Sequence, residues 1–588
     1  VMEGVLRFCL IGVLVLLPAG TSMAAGRVGG WRDREDILSR MSGVVQYVMR
    51  GGLERREGRT VANATGVGRF PNIRVNQDTS GQAQNETSIT VDPLDFSHLV
   101  GGWNDYRYAD TQDVKAGYGY SFDGGLTWAD GVLPGYSAYD AQGDPAVAIG
   151  LNGRVYYALI AFDRGYYGDN GVYVSVSDDG GQNWGNPVPI NVSGYEAFND
   201  KPYIAVDNTD GPYRNNVYVT WTLFGWNYPI YLSRSTDGGT SFQSPVRVSD
   251  SDYTQGSIPV VGPGGELYVA WYDYATGNRL KMNTSDDGGV SFGPDVTIQS
   301  ITPLPSYLNP GFRVNSFPVM AADVTNGPNR GNLYVCWGDY RNGDADIYFC
   351  RSTDGGGTWS AAVRVNDDQL SNGKDQWFPW LSVDPSGNVM VMFMDRRNSP
   401  GNLDYDVYLA RSVDGGSSFE PNLRVTTVSS NPYYGFDGTF LGDYNGLAST
   451  IDMSLPLWTD TRNGNEDAYT ALIPTAPDNA VVDITLSPDG TTVPQGGTLT
   501  GTLVISNPGG SPQDVDPLAE IRLPNGTMMV YSDPATITIP AGGGLTKDMA
   551  LPVPDYAPVG SYMMKATLYD PVTGGALAMD YFSFQITP

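Results

Sequence analysis

The sequence predicts an all-β protein: a seven-bladed β-propeller followed by a β-sandwich of immunoglobulin or fibronectin type. Three observations carry this. Gly (74) and Tyr (37) are abundant and only 17% of the 588 residues are charged, a composition suited to turn-rich sheets with aromatic strands. One turn, SFDGGLTW from Ser121, returns as SDDGGQNW from Ser177, STDGGTSF from Ser235, SDDGGVSF from Ser285, STDGGGTW from Ser352 and SVDGGSSF from Ser412. Its aspartates, Asp123, Asp179, Asp237, Asp287, Asp354 and Asp414, stand 56, 58, 50, 67 and 60 residues apart, a regular period that marks a repeat architecture. From about Val481 the texture changes to segments such as LTGTLVISNPGG and DYFSFQITP, which alternate apolar and polar residues as sandwich strands do.

In chain order, residues 1–24 read as a secretory signal: Arg7 is the basic n-region, FCLIGVLVLLPAG the apolar h-region, and SMA (Ser22 to Ala24) the small-residue cleavage site. The apolar run is too short to span a bilayer comfortably, and no later stretch is suited to cross one. The expectation is an exported protein without membrane insertion after cleavage, secreted, extracellular or at the cell surface, with the periplasm as the alternative. Residues 25–68 are a linker in which DREDILSRMSGVVQYVMR has helical spacing, with Ile37, Leu38, Met41, Val44, Val45 and Val48 near one face. No function is assigned to it.

Residues 69–475 form the propeller. In the fifth repeat FPVMAAD, NLYVCWGDYR, DIYFCRS and TWSAAVRVND are four short strands, and the DGG turn joins the third to the fourth. A seventh unit, from Phe440 to Pro474, has three strands and no fourth. PNIRVNQD (Pro71 to Asp78) matches the fourth strands of other repeats, Arg74 standing where Arg247, Arg364 and Arg424 stand. The N-terminal strand therefore completes the last blade and removes a sheet edge. Residues 478–588 form the sandwich, for which a spacer role is expected, with surface attachment and sugar binding as alternatives.

The turn has a local reason. Its Asp accepts backbone N–H bonds inside the loop, the glycines take positive φ, and the closing Trp or Phe packs beneath. The pattern S-x-D-x-G-x-[ST]-[WF] resembles the Asp-box (BNR) repeat of the sialidase/neuraminidase-like superfamily. In that family such turns are structural clips on the outer edge, away from the catalytic centre. Sialidases with this pattern have six blades, so six is the alternative to the count of seven.

Net charge is −29, which disfavours nucleic acid and anionic lipid as partners. The single histidine, His98, excludes an HExxH zinc site and leaves acid–base work mainly to carboxylates and tyrosines. No cofactor is assigned: acid-rich loops suit Ca²⁺, but no D-x-D-x-D-G loop appears. Loops entering the first strands, with the ends of the second strands, should rim the mouth of the propeller opposite the DGG turns. Glu86, Asp144, Asp200, Lys201, Asp375, Asp443 and Tyr444 should converge there, with Trp377, Trp380 and Tyr203 as aromatic surfaces. WNDYR, WGDYR, FMDRR and WTDTR repeat an aromatic-x-D-x-R pattern whose arginines either brace their own hairpins or reach inward to hold an anion.

The sialidase resemblance implies hydrolysis of glycans or glycoproteins as a retaining exo-glycosidase. Tyr444 would be the nucleophile and Glu86 its base, Asp144 or Asp375 the acid/base, and Arg107 with Arg341 or Arg462 the clamp on a sugar carboxylate; Asp443 and Trp377 would contact substrate. The family's F/Y-R-I-P motif is absent. A noncatalytic propeller that binds glycan or protein is the alternative, and a monomer is expected. Cys336 and Cys350, on adjacent strands with their midpoint in the NGD turn, are expected to pair as a disulfide if that turn is symmetric; two packed free thiols are the alternative.

Overall fold

The computed structural model describes residues 39–49, 70–475 and 482–588, apart from short stretches at 109–112, 165–168, 195, 276, 437–439, 508, 524–527, 533–534, 570 and 572–575. The expected signal segment and most of the linker lie outside the described residues. Among the described residues no helix is long and apolar enough to cross a membrane.

Nearly everything described is antiparallel β structure. Six four-stranded sheets follow one another, each ordered as its strands occur in sequence. Their first strands are Gln84–Val91, Ala141–Ile149, Phe198–Val206, Thr254–Val261, Val319–Ala322 and Gln376–Val383. A seventh sheet takes Gly446–Ser449, Met453–Asp460 and Asp467–Ala471 from the end of this region, and Asn72–Arg74 from its start. Ile73 lies opposite Thr470 and Arg74 opposite Tyr469, so the N-terminal strand is the outer strand beside Asp467–Ala471, where the sequence led us to expect it. The first strand of each sheet lies against that of the next, and the seventh lies against the first, closing a ring.

Second strands supply the filling between sheets. Trp103, Trp221, Trp271, Trp337 and Trp458 hold equivalent places and are fully buried. Large apolar side chains there are removed from water between two sheets, each contributing about 2–3 kcal/mol of transfer free energy. The DGG turns have one geometry. In the first, Thr127 N and Oγ1 donate to the two Asp123 carboxylate oxygens at 2.9 and 2.6 Å, and Gly125 N donates to Ser121 Oγ at 3.0 Å. Gly124 and Gly125 sit at φ +71° and +90°, where a Cβ would be strained.

The expected Cys336–Cys350 disulfide is a correction. The hairpin register pairs Cys336 with Phe349 and Cys350 with Val335, so the two side chains face opposite sides of the sheet. Both are buried free thiols, Cys336 packed with Phe349 and Cys350 with Val335 in different apolar clusters. The turn between Asp339 and Asp346 holds an even number of residues, and a midpoint falling on a residue assumed an odd one.

After residue 481 come two further sheets. Asp483–Pro488, Thr498–Asn507 and Gly543–Pro552 form one. The other is built on Gln513–Arg522, Gly560–Tyr569 and Ala576–Thr587. Ile484, Leu486 and Ile505 of the first share a core with Val515, Leu568 and Ala578 of the second.

Candidate functional site

Five of the seven first strands carry an irregularity at one place. The register slips after Asn85, Gly143, Asp200, Gln255 and Trp377, and resumes at Ser88, Ala146, Tyr203, Ile258 and Trp380. The first unpaired residues, Glu86, Asp144, Lys201, Gly256 and Phe378, all have left-handed φ, between 47° and 68°. A β-bulge of this kind re-aims a side chain out of the sheet pleat. Proline follows at Pro145, Pro202 and Pro379, where its missing N–H deprives no ladder of a bond. Phe317 and Tyr444 stand at the same offset from the first paired residues of sheets five and seven, Val319 and Gly446.

These side chains meet. Lys201 Nζ lies 3.8 Å from Glu86 Oε1, and 5.8 and 5.9 Å from the ring centroids of Tyr444 and Phe317. Gly256 leaves room for the Phe317 ring, since a Cβ there would come within 2.4 Å of it. Lys201 Nζ and an Arg313 guanidinium nitrogen both bond to Asp443 Oδ2. Asn104 Nδ2 donates to Glu86 Oε2 at 2.7 Å, and Asn104 Oδ1 accepts from Asp144 N at 2.9 Å. Lys201 N donates to Asp144 Oδ2 at 3.1 Å. Tyr203, Trp380 and Tyr444 pack together beside the charges, with ring centroids 5.5–6.3 Å apart.

Glu86, Asp144, Lys201 and Asp443 are buried, and the Arg313 side chain is 13% exposed. Burial pushes Glu86 well above the usual carboxylate range; Lys201 opposes this, and the neighbouring Asp144 and Asp443 add to it. Burial likewise raises Asp144, against Lys201 and with Asp200, to about 7. Asp443 goes the other way: burial is outweighed by Arg313 and Lys201, which hold it at about 2. Carboxylates cannot donate to each other, so Glu86 Oε1, Asp144 Oδ1 and Asp200 Oδ1 are buried without a hydrogen-bond partner. A proton on Glu86 or Asp144 supplies the missing donor. A carboxyl protonated here lies beside an ammonium, an arrangement able to donate a proton.

Other expected site residues lie elsewhere or are otherwise engaged. Tyr444 donates its hydroxyl to Pro145 O at 3.2 Å, not to Glu86, and burial raises its pKa well above 10. Asp375 is held by Asn402 Nδ2 at 2.6 Å, by Ala345 N at 3.2 Å and by Arg396 at 3.5 Å, with no bond to the axial cluster. Trp377 is buried against Phe312, Tyr405 and Arg396 and offers no open surface. Arg107, Arg341 and Arg462 are each bonded to the aspartate two residues earlier, Asp105, Asp339 and Asp460. Those aspartates also accept from Trp103, Trp337 and Trp458 at 2.8–3.0 Å. The aromatic-x-D-x-R pattern is therefore a brace on its own hairpin.

Arg313 escaped the sequence reading. It ends a small hairpin, Tyr307–Leu308 with Phe312–Arg313, inserted between sheets four and five, and nothing in FRVN distinguishes it from the RVN of the outer strands. Residues 39–49 were also unassigned, yet they lie against the cluster. Ser42 N donates to Asp200 Oδ2 at 3.0 Å, Arg313 to Met41 O at 2.6 Å and Gln255 Nε2 to Arg40 O at 2.5 Å. Among the described residues no group of histidine, cysteine and carboxylate side chains has the arrangement of a metal site.

No family model and no curated protein matches this chain. Solved structures similar to it include a protein of unknown function from Dyadobacter fermentans, at 15% identity over 55% of this chain and 93% of that one, TM-score 0.39. The Hadza microbial sialidase Hz136 matches at 13% identity over 64% and 73%, TM-score 0.38. The NanB sialidase of Streptococcus pneumoniae matches at 12% identity over 69% and 70%, TM-score 0.37. Superpositions this loose carry no functional weight.

Proposed function

We propose that the chain is an exported, glycan-acting β-propeller: its seven sheets are blades about one axis, its last two sheets an immunoglobulin-like spacer, and its reacting groups Glu86 and Asp144. The observation behind this is the pair of buried carboxyls on adjacent sheets, both pushed above the usual range, next to Lys201 and Arg313. A carboxyl protonated near neutral pH is the group that protonates a glycosidic oxygen, and a second carboxyl nearby completes the acid–base pair. The two cations suit a sugar that carries its own carboxylate, which would take the place Asp443 now holds. Glycan is chosen as substrate class because the six DGG turns resemble the Asp-box repeat. Tyr444 is assigned to the floor of the site and not to nucleophilic attack, since its hydroxyl is bonded to a backbone carbonyl.

The test is a panel of chromogenic glycosides, including sialosides and uronides, assayed beside glycan-array binding. Turnover of at least one acidic glycoside is expected. Asp144→Asn and Glu86→Gln should each lower it by about 10²-fold or more while leaving the fold intact. Noncatalytic glycan binding is the second reading, favoured by the pairing of both Lys201 and Arg313 with Asp443. Array binding without turnover would select it, and silence in both assays would remove glycans as the ligand class.

A further inference from the structure

The axial cluster is covered by the protein's own N-terminal segment. Met41, Val44, Val45 and Val48 are buried, and the short helix α1 (Gly43–Met49) lies on the face where the bulges point. Its contacts cross the ring. Val44 reaches Gly143, where a Cβ would fall 2.5 Å from Val44 Cγ1; Gly43 sits on Phe440, leaving no room for a side chain. Ser42 bonds to Asp200, Met41 to Arg313 and Arg40 to Gln255, while the Arg40 guanidinium lies 4.5 Å from the Tyr274 ring centroid. Asp200 and Arg313 thus serve the segment and the charge cluster at once.

We infer that residues 39–49 are a built-in plug: a peptide bound in the mouth of the ring, which must leave before the cluster can meet a ligand. This inference rests on the reading of the cluster as the site. The segment is suited to leave. It adds no strand to any sheet, it holds the ring through a few hydrogen bonds and four apolar side chains, and its ordering cost is of the same size as that burial. An element that lies outside the strand ladders can open as a unit without global unfolding.

A disulfide lock tests this on the full chain. Val44 and Gly143 approach closely enough for Val44→Cys with Gly143→Cys to be bridged, in a Cys9→Ser background. Hydrogen exchange is then compared in the oxidised and reduced protein. Reduction should speed exchange at the amides of Asp144 and Lys201 by at least about tenfold and leave the second strand Val155–Phe162 unchanged. Gly43→Leu, which cannot seat against Phe440, should exchange like the reduced form if the double variant fails to fold. Equal protection in oxidised, reduced and Gly43→Leu proteins would overturn the plug and make the segment a fixed floor. A redox-dependent change in exchange with no glycan taken by either form would keep the plug and discard the glycan reading.

Discussion

The charge cluster is made at single residues, by side chains that would be unremarkable on a regular strand. Glu86, Asp144 and Lys201 reach one another because each sits at a bulge with left-handed φ. Their presence at strand entries was legible in NETSI, GDPAV and NDKPY, and so was their convergence. Their pairing was not, because it depends on which bulge faces which across a closed ring. Asp375 and Trp377 also lie in a first-strand entry, but Asn402 holds the one and Arg396 and Phe312 cover the other, away from the cluster. Glu466 was missed for a different reason, since nothing in NEDAY marks it as buried. It accepts from Asn85 Nδ2 at 2.7 Å and from Phe436 N at 2.8 Å, and burial raises it to about 8 despite those bonds. A carboxyl raised on folding stabilises the native state fully below its unfolded pKa, about 4.5, and that contribution is lost as pH rises through about 8. Glu466→Gln keeps an acceptor and removes the titration. The fall in apparent Tm between pH 5 and pH 8.5 should therefore be smaller in Glu466→Gln than in wild type; an unchanged fall would show that Glu466 is ionised throughout.

In sheets seven and five the same polar side chains lock the outer strand. Asn76 Nδ2 donates to Gln84 Oε1 at 2.7 Å and Asp467 Oδ1 at 3.0 Å, and Asn76 Oδ1 accepts from Ala468 N at 2.9 Å. Asn366 does the same in sheet five, bonding to Gln376 at 2.6 Å and Asp346 at 2.8 Å and accepting from Ile347 N at 2.9 Å. The Arg-Val-Asn match between residues 74–76 and 364–366 was thus enough to place the N-terminal strand in the last sheet. Here the sequence was fully informative, because the lock is local to one repeat and written in residue types. The cysteine hairpin was not, because a one-residue uncertainty in turn length inverts the faces of a strand. Asn76→Ala and Asn366→Ala each strand several buried polar partners, and each should cost about 2–3 kcal/mol. Only Asn76→Ala should loosen the junction of the two chain ends, read as faster exchange in Asp467–Ala471. Equal exchange there in both variants would mean that the N-terminal strand is not what holds sheet seven.

At the scale of the molecule, the ring brings residues from distant parts of the chain onto one axis, and its N-terminal segment then closes the face they share. The ring was legible from the period of the DGG turns, whose clips hold each third-to-fourth-strand connection. The cover was not legible: MSGVVQYVM has an apolar helical stripe, but a stripe does not say what it packs against. Glu86, Asp144 and Lys201 are proposed to receive the ligand. A crystal structure of the full chain with an oligosaccharide taken from the glycoside panel tests this most directly. The sugar is expected on the bulge face, within hydrogen-bond distance of Glu86 or Asp144, with residues 39–49 displaced. Sugar bound beside the DGG turns, or on the last two sheets with the cluster still covered, would contradict it.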